Sequence, residues 1–259
     1  MSAVTVLEPG ARASAQARPA SAAGRVWRIV RLHYANRFNS MIAPLSTAGT
    51  IFAVYLIIGA IIAYATSDSG DSTQQYSTSL VYFLPYQVVF AVQAMNLTFS
   101  FALGMSSTRR DFSYGTWLMF LIQSAGFSVI FTVMSYLEQW THGWGIGVQI
   151  FQTFIYGTGD VGQRLLTFFA GVLLFQCIGS VFGAVFVRWR ANGLYVLGAA
   201  FLVVLLGAVA LITFTESWPA VGRWFVSVGP SGVAAWLLPP AAVFAVIGHL
   251  ALRRATPKS

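Results

Sequence analysis

Side chains that could carry out catalysis are few in this sequence and lie far apart. His33, His142 and His249 are widely separated, and no cluster of His, Cys, Asp and Glu has the spacing of metal ligands. No serine has a base and an acid nearby on one side of the chain's apolar runs. Lys258, the only lysine, stands second from the end and outside any phosphate-binding loop. We therefore expect no catalytic residue, no metal and no cofactor bound by this chain.

One short polar segment has the composition of a protein-docking site. Residues 104–115 read GMSSTRRDFSYG. The Ser and Thr residues at 106–108 can cap a short helix, which leaves Arg109 and Arg110 to project into solvent. Arginines beside Asp111 and Phe112 offer the charges and the aromatic ring that protein interfaces favour. The simpler alternative is that the two arginines only fix the orientation of the chain in a membrane.

Six long apolar runs fill most of the chain and predict its fold class. The composition is 57% hydrophobic and 8% charged, whereas soluble domains carry roughly a quarter charged residues. Runs of about 20 apolar residues can cross a bilayer as helices, and open strands there would leave backbone groups unpaired. We predict an all-α membrane protein with six transmembrane helices, at about 47–66, 78–103, 116–137, 165–187, 193–214 and 232–252.

The interiors of these runs contain no Asp, Glu, Lys or Arg. Transporters driven by protons or sodium normally place a titratable or ion-coordinating group near the bilayer midplane. If this chain moves a solute, the energy must therefore come from another protein.

Basic residues are divided unevenly between the two sides of the predicted bundle. The N-terminal segment holds six, the turns after the second and fourth runs hold two each, and the tail holds three, against Arg164 and Arg223 on the other side. Cytoplasmic segments retain Lys and Arg, so we predict a multi-pass plasma-membrane protein with both termini cytoplasmic. The charge then lies beside anionic lipid headgroups, and we expect the bilayer and no nucleic acid as its partner.

The two ends of the chain are predicted to be cytosolic tails. Residues 1–24 are rich in Ala, Arg and Ser and are predicted to be disordered, while residues 255–259 follow the last run. The near absence of lysine indicates a bacterial chain. Between the first tail and the first span, residues 25–39 carry Val26, Ile29 and Val30 at helical spacing, flanked by arginines. This pattern predicts an amphipathic helix in the headgroup plane.

The second run carries most of its polar side chains on one helical face. Tyr86, Gln93, Asn96 and Ser100 recur at helical spacing along it. Polar residues in lipid are costly and face a bundle interior or a cavity. We interpret these four as candidates to line a solute pathway. The alternative is that they hydrogen-bond to neighbouring helices.

Taken together, these features resemble the permease subunits of the second type of ATP-binding-cassette (ABC) exporter. The shared features are the basic amphipathic first helix, the six spans with both ends inside, the Arg-Arg-Asp-Phe-x-x-Gly turn, and a hydrophobic external segment between spans five and six. In that family the turn after span two forms a short cytoplasmic coupling helix that sits in a groove of a separate ATPase. Five residues carry the match at that turn: Arg109, Arg110, Asp111, Phe112 and Gly115. The resemblance extends over about residues 25–254.

The resemblance implies that the chain is the transmembrane subunit of an ATP-driven exporter. ATP and Mg²⁺ would be bound by a separate nucleotide-binding ATPase, and a second permease copy, identical or a sister, would complete the transporter. Spans four and five are mostly Leu, Val, Gly, Ala and Phe, which favours an amphipathic or hydrophobic solute such as a drug, an antibiotic, a lipid-like molecule or a peptide. Two alternatives stay open: a membrane scaffold or sensor that docks a cytosolic protein without transport, and an uncoupled channel.

Overall fold

The described part of the chain is all-α apart from two short strands. A computed structural model describes residues 21–66, 76–77, 83–104, 107–152 and 158–253. The predicted tail over 1–24 lies outside these ranges up to residue 20, and the tail over 255–259 lies outside them entirely. The predicted all-α class is confirmed.

Six α-helices follow one another in the described residues. They are α1 (Ala22–Ala35), α2 (Ala43–Thr66), α3 (Phe83–Gly104), α4 (Arg109–Trp140), α5 (Val161–Phe214) and α6 (Trp218–Arg253). A π-helical turn, Phe38–Ile42, leads into α2. Four helical segments in the described residues are long and apolar enough to cross a membrane: Phe38–Ala65, α4, α5 and α6. Helices able to span a membrane are thus present, as the apolar runs predict.

Two of the long helices contain a backbone break. In α5 the break falls at Arg190 (φ 56°, ψ −148°), between the fourth and fifth predicted spans. In α6 it falls at Gly229 (φ 68°, ψ 174°), before Pro239 and Pro240 in the same helix. Gly229 precedes Pro230, whose ring disfavours helical geometry in the residue before it, and glycine adopts a positive φ without steric cost.

The predicted short coupling helix is not a separate element among the described residues. Arg109 is instead the first residue of α4, which continues for 32 residues to Trp140. Thr108 caps the helix by accepting a hydrogen bond from the backbone N–H of Asp111 at 3.0 Å. Thr108 supplies a start signal, and the helix then continues through Gly115 and Gly126 with no proline to end it. The segment and the third predicted span are therefore one helix.

Helix α5 lies at the centre of the packing and contacts α3, α4 and α6. Two of its glycines allow α3 to approach closely. A Cβ atom on Gly179 would lie 2.6 Å from the carbonyl oxygen of Val88, and one on Gly183 would lie 2.8 Å from Cβ of Met95. Aromatic residues of α3, α4 and α5 fill one core cluster together with the segment after α4, namely Phe83, Phe127, Phe131, Phe151 and Phe168.

A second core cluster lies where α1 meets α3, α4, α5 and α6. Its buried members are Ile29, Met95, Phe99, Ala102, Phe112, Ala184 and Leu252. On the other side of the bundle, strand β1 (Tyr76–Ser77) pairs in parallel with β2 (Val148–Gln149). The helices, packed together by these two core clusters, position the residues of the candidate site.

Candidate functional site

The start of α4 presents two side chains outward and three inward. Arg110 is exposed, and Arg109 is partly exposed, with its Nη1 donating to the carbonyl oxygen of Arg253 at 3.2 Å. Asp111, Phe112 and Gly115 are buried against α1 and its neighbours. Only the two arginines of the five predicted coupling residues are thus available to a cytosolic partner in this arrangement, and the ATPase contact itself stays a prediction.

The three inward residues attach α1 to α4. Asp111, 7% exposed, accepts from Nε of Arg25 at 3.0 Å in an ion pair. The ring of Phe112 is fully buried and lies 5.8 Å from that of His33 on α1 and 5.2 Å from that of Phe99 on α3. A Cβ atom on Gly115 would come within 2.4 Å of Cβ of Ile29, so α1 and α4 touch along their backbones. The polar segment at 104–115, which the sequence predicts to be a docking site, therefore also forms the surface on which α1 packs.

The apolar stripe of α1 faces protein. Ile29 and Val30 are each 2% exposed, and Val26 is partly buried. The opposite face, which carries Trp27 and Arg28, is exposed. Packing on α4 and α3 therefore accounts for the apolar stripe of α1, and the predicted position of this helix in the headgroup plane stays a prediction.

His33 is the buried polar residue of α1. Its Nδ1 lies 3.0 Å from the carbonyl oxygen of Ile29, and its Nε2 lies 3.2 Å from Oγ1 of Thr98 on α3. Because a carbonyl oxygen only accepts, Nδ1 carries the proton and donates it. Burial lowers the pKa of His33 below its ordinary value, against the smaller opposing effect of the Ile29 carbonyl. The imidazole is thus held neutral at physiological pH.

The four predicted pathway residues have different environments. Gln93 and Asn96 are exposed and point away from the helix bundle. Tyr86 is half-buried, and its ring stacks on that of Phe83 at 5.9 Å. Ser100 belongs to α3, but its side chain lies outside the described residues. The outward polar face of α3 is therefore formed by the two amides.

A small cleft adjoins this face. It has a volume of about 60 Å³ and lies between α1, the turn after it, α3 and α4. Gln93 lines it from α3, and His33, Asn36 and Asn39 line it from the N-terminal side. The polar surface of α3 thus continues across the cleft onto the segment that joins α1 to α2.

A buried amide network in the bundle was missed by the sequence reasoning. Nε2 of Gln176 on α5 donates to Oε1 of Gln87 on α3 and to Oε1 of Gln123 on α4, each at 3.2 Å. Ser124 donates to Oε1 of Gln176 at 2.9 Å, and Gln123 donates to the Ser40 carbonyl at 3.1 Å. Nε2 of Gln87 finds no hydrogen-bond partner among the described residues. The available signal was a glutamine inside each of three apolar runs.

At the far end of α4, Glu138 organises the segment that follows it. Glu138 is 1% exposed. Its carboxylate accepts from the backbone N–H groups of Ile150, Phe151 and Gln152 at 2.8–3.0 Å and from Nε1 of Trp144 at 3.0 Å. Sequence reasoning missed this role, because the N–H donors come from residues 12–14 positions further along the chain.

Arg164 at the start of α5 is a buried cation held by neutral groups. It is 4% exposed. Its guanidinium donates to Oγ of Ser135 at 3.0 Å, to Oε1 of Gln139 at 2.8 Å and to the Gly159 carbonyl at 3.0 Å. The Cζ atom also lies 3.9 Å from the ring centroid of Tyr136. Arg164 thereby joins α5 to the end of α4.

Within the described residues, no group of three or more His, Cys, Asp and Glu could hold a metal ion. Comparisons with protein-family models, with curated proteins and with solved structures find no match. The site must therefore be interpreted from its own chemistry.

Proposed function

We propose that this chain is the transmembrane subunit of an ATP-driven exporter of the ABC type, for an amphipathic or hydrophobic solute. The observation that carries the proposal is the face of α3 on which Gln93 and Asn96 point away from their own subunit. An amide left without a hydrogen-bond partner in hydrocarbon costs about 4 kcal/mol. A second permease copy, or a sister subunit, placed opposite α3 supplies polar partners and encloses a pathway.

The proposal includes six spans and cytosolic termini. Helix α3 has 22 residues, or about 33 Å, which matches a hydrocarbon core of about 30 Å. Helix α5 has 54 residues, about 81 Å, which is too long for a single crossing. Its break at Arg190 divides it into residues 161–189 and 191–214, each long enough to cross. With α2, α4 and α6 the total is six. The charge asymmetry supports cytosolic ends for both termini, and we propose that the membrane is that of a bacterial cell.

The energy for export comes, in this proposal, from a separate ATPase that binds ATP and Mg²⁺. Arg109 and Arg110 are the charged side chains that the start of α4 turns outward. They would meet the ATPase at the first turn of a long helix. Since Asp111 holds α1 through Arg25, a push on this turn would move α1 and α4 together.

The first test reverses the two arginines. We expect the double variant Arg109→Glu, Arg110→Glu to lose Mg²⁺-dependent ATP hydrolysis that co-purifies with the tagged chain. Loss of an interface arginine contact of about 2 kcal/mol weakens binding roughly thirtyfold. The matched control is Arg28→Glu with Arg31→Glu, an equal charge change on the exposed face of α1. Equal recovery of ATPase activity with both double variants would leave the scaffold or the channel as the better explanation.

The second test separates pathway lining from helix packing. We expect Gln93→Leu to change which hydrophobic dyes enter inverted membrane vesicles in an ATP-dependent way, with little effect on thermal stability. Gln123→Leu, which removes a buried amide of the network, should do the opposite. It should lower stability by about 0.6 kcal/mol per lost hydrogen bond and keep the solute profile. Dye flux without ATP would indicate a channel. An unchanged solute profile in Gln93→Leu would contradict the pathway.

A further inference from the structure

An apolar crevice opens between α4 and α6. Its volume is about 200 Å³. The lining comes from α4, α5 and α6, with no charged residue: Trp117, Phe120, Leu121, Leu173, Cys177, Leu238, Ala241, Ala242 and Ala245. Leu121 and Ala242 at its rim are exposed, while Cys177 at its floor is buried. The crevice is separate from the α3 face, and its lining includes neither of the two arginines that the proposed function assigns to the ATPase, although Arg110 stands beyond one end of it.

Aromatic and basic side chains cover one end of the crevice. Trp117 lies 5.6 Å from the ring of His249, which stacks at 5.6 Å on Tyr114. Cζ of Arg110 lies 5.5 Å from the Tyr114 ring centroid. His249 is fixed in place by a 2.9 Å contact between its Nδ1 and Oγ of Ser113. A continuous series of rings thus joins the apolar lining to a guanidinium.

The end of the crevice near Arg110 is positively charged, and the nearby carboxylate of Asp111 does not neutralise it. Arg109 contacts the backbone of Arg253, so two arginines of α4 and one of α6 meet where these antiparallel helices end. Asp111 is already paired with Arg25. Within the described ranges, no carboxylate forms an ion pair with Arg109, Arg110 or Arg253. An anionic group of moderate size fits this position.

The distance from Arg110 to the rim of the crevice matches the depth of one leaflet. Arg110, Tyr114, Trp117 and Leu121 lie on one face of α4 at helical spacing. From Arg110 to Leu121 the helix rises about 16 Å, and one leaflet of the hydrocarbon core is about 15 Å deep. A molecule that places its anionic head at Arg110 therefore reaches the rim at Leu121 with a chain of ordinary lipid length.

We propose that this crevice binds an anionic membrane phospholipid. One acyl chain occupies the space between α4 and α6, and the phosphate contacts Arg110 with Arg253 nearby. Tyr114, Trp117 and His249 lie at the level of the headgroup, where amphipathic rings are favoured. The site would retain its lipid from the bilayer and brace α4 against α6.

Native mass spectrometry of the full chain in detergent tests the site directly. The probes are phosphatidylglycerol and phosphatidylcholine with identical acyl chains. We expect phosphatidylglycerol to bind about fivefold more tightly, the ratio that one arginine near an anionic surface supplies. Arg110→Gln should remove that preference, whereas Arg28→Gln on α1 should keep it. Equal binding of the two lipids by the unmodified chain would overturn the proposal.

A second pair of variants locates the acyl chain. Ala242→Phe fills the rim and should abolish binding of both lipids, whereas Ala200→Phe, an equal change at an exposed position of α5, should leave it intact. If Ala242→Phe does not fold, quenching of tryptophan fluorescence by bromine-labelled acyl chains replaces the binding measurement. This quenching should diminish in Trp117→Phe and persist in Trp189→Phe. Equal quenching in both variants would refute the location. Dimer loss in Ala242→Phe with lipid binding intact would assign the crevice to a second copy of the chain instead.

Discussion

Replacing Glu138 by glutamine is expected to loosen the segment that follows α4. The carboxylate accepts four hydrogen bonds, three of them at Oε2, from Trp144 Nε1 and from the N–H groups of Ile150 and Phe151. The fourth, from Gln152 N–H, ends on Oε1. Glutamine keeps one oxygen for the three donors, but these bonds lose their charge assistance, which is about 1 kcal/mol each. Its NH₂ group then faces the Gln152 N–H, donor against donor.

The expected loss is therefore about 3 kcal/mol, which corresponds to roughly hundredfold faster opening of the segment. Hydrogen exchange of the amides of residues 150–152, followed by mass spectrometry, measures it. Glu216→Gln is the matched control, since Glu216 is exposed near the end of α5. Exchange that accelerates less than about threefold in Glu138→Gln would refute the view that this carboxylate organises the segment.

Two further predictions concern the attachment of α1. Gly115→Ala should lower the melting temperature and speed hydrogen exchange in α1, at a cost of about 1–3 kcal/mol, because the new methyl group overlaps Ile29. Gly126→Ala, in the same helix with nothing within 4 Å, should instead raise stability by up to about 1 kcal/mol, and equal effects would contradict the contact. For His33, whose pKa is lowered by burial, stability should be complete above its unfolded value of 6.5 and decline as the pH falls below it, by at most about 1.4 kcal/mol per pH unit. Melting curves at pH 7.5 and 5.5 should show this loss in the unmodified chain and less of it in His33→Gln; an identical loss in both would assign the effect to other groups.

The sequence was sufficient for features that depend on one segment at a time. Helical class follows from the length of the apolar runs, and the outward position of Arg109 and Arg110 follows from a capped helix start. The sequence did not predict that Asp111, Phe112 and Gly115 of the same segment are buried against other helices. Asp111 pairs with Arg25, 86 residues away, and no local pattern encodes a partner at that distance.

Residues that act through several elements were also missed. The amide network needs Gln87, Gln123 and Gln176 from three helices at one level, which requires the relative heights of those helices. Glu138 needs the chain after α4 to fold back and turn three backbone N–H groups toward it. Such convergence depends on tertiary packing, and a single sequence gives only the residue types that take part.

The unbroken course of α4 has a mechanical consequence. Its 32 residues contain no interior residue outside helical geometry, so it forms a rod about 48 Å long. Arg109 stands at one end, and Glu138 lies near the other. A tilt of about 5° around the middle of such a rod would carry its ends about 2 Å in opposite directions. A displacement applied at the arginine end therefore moves the segment held by Glu138 in the opposite direction, because the helix has no hinge between them.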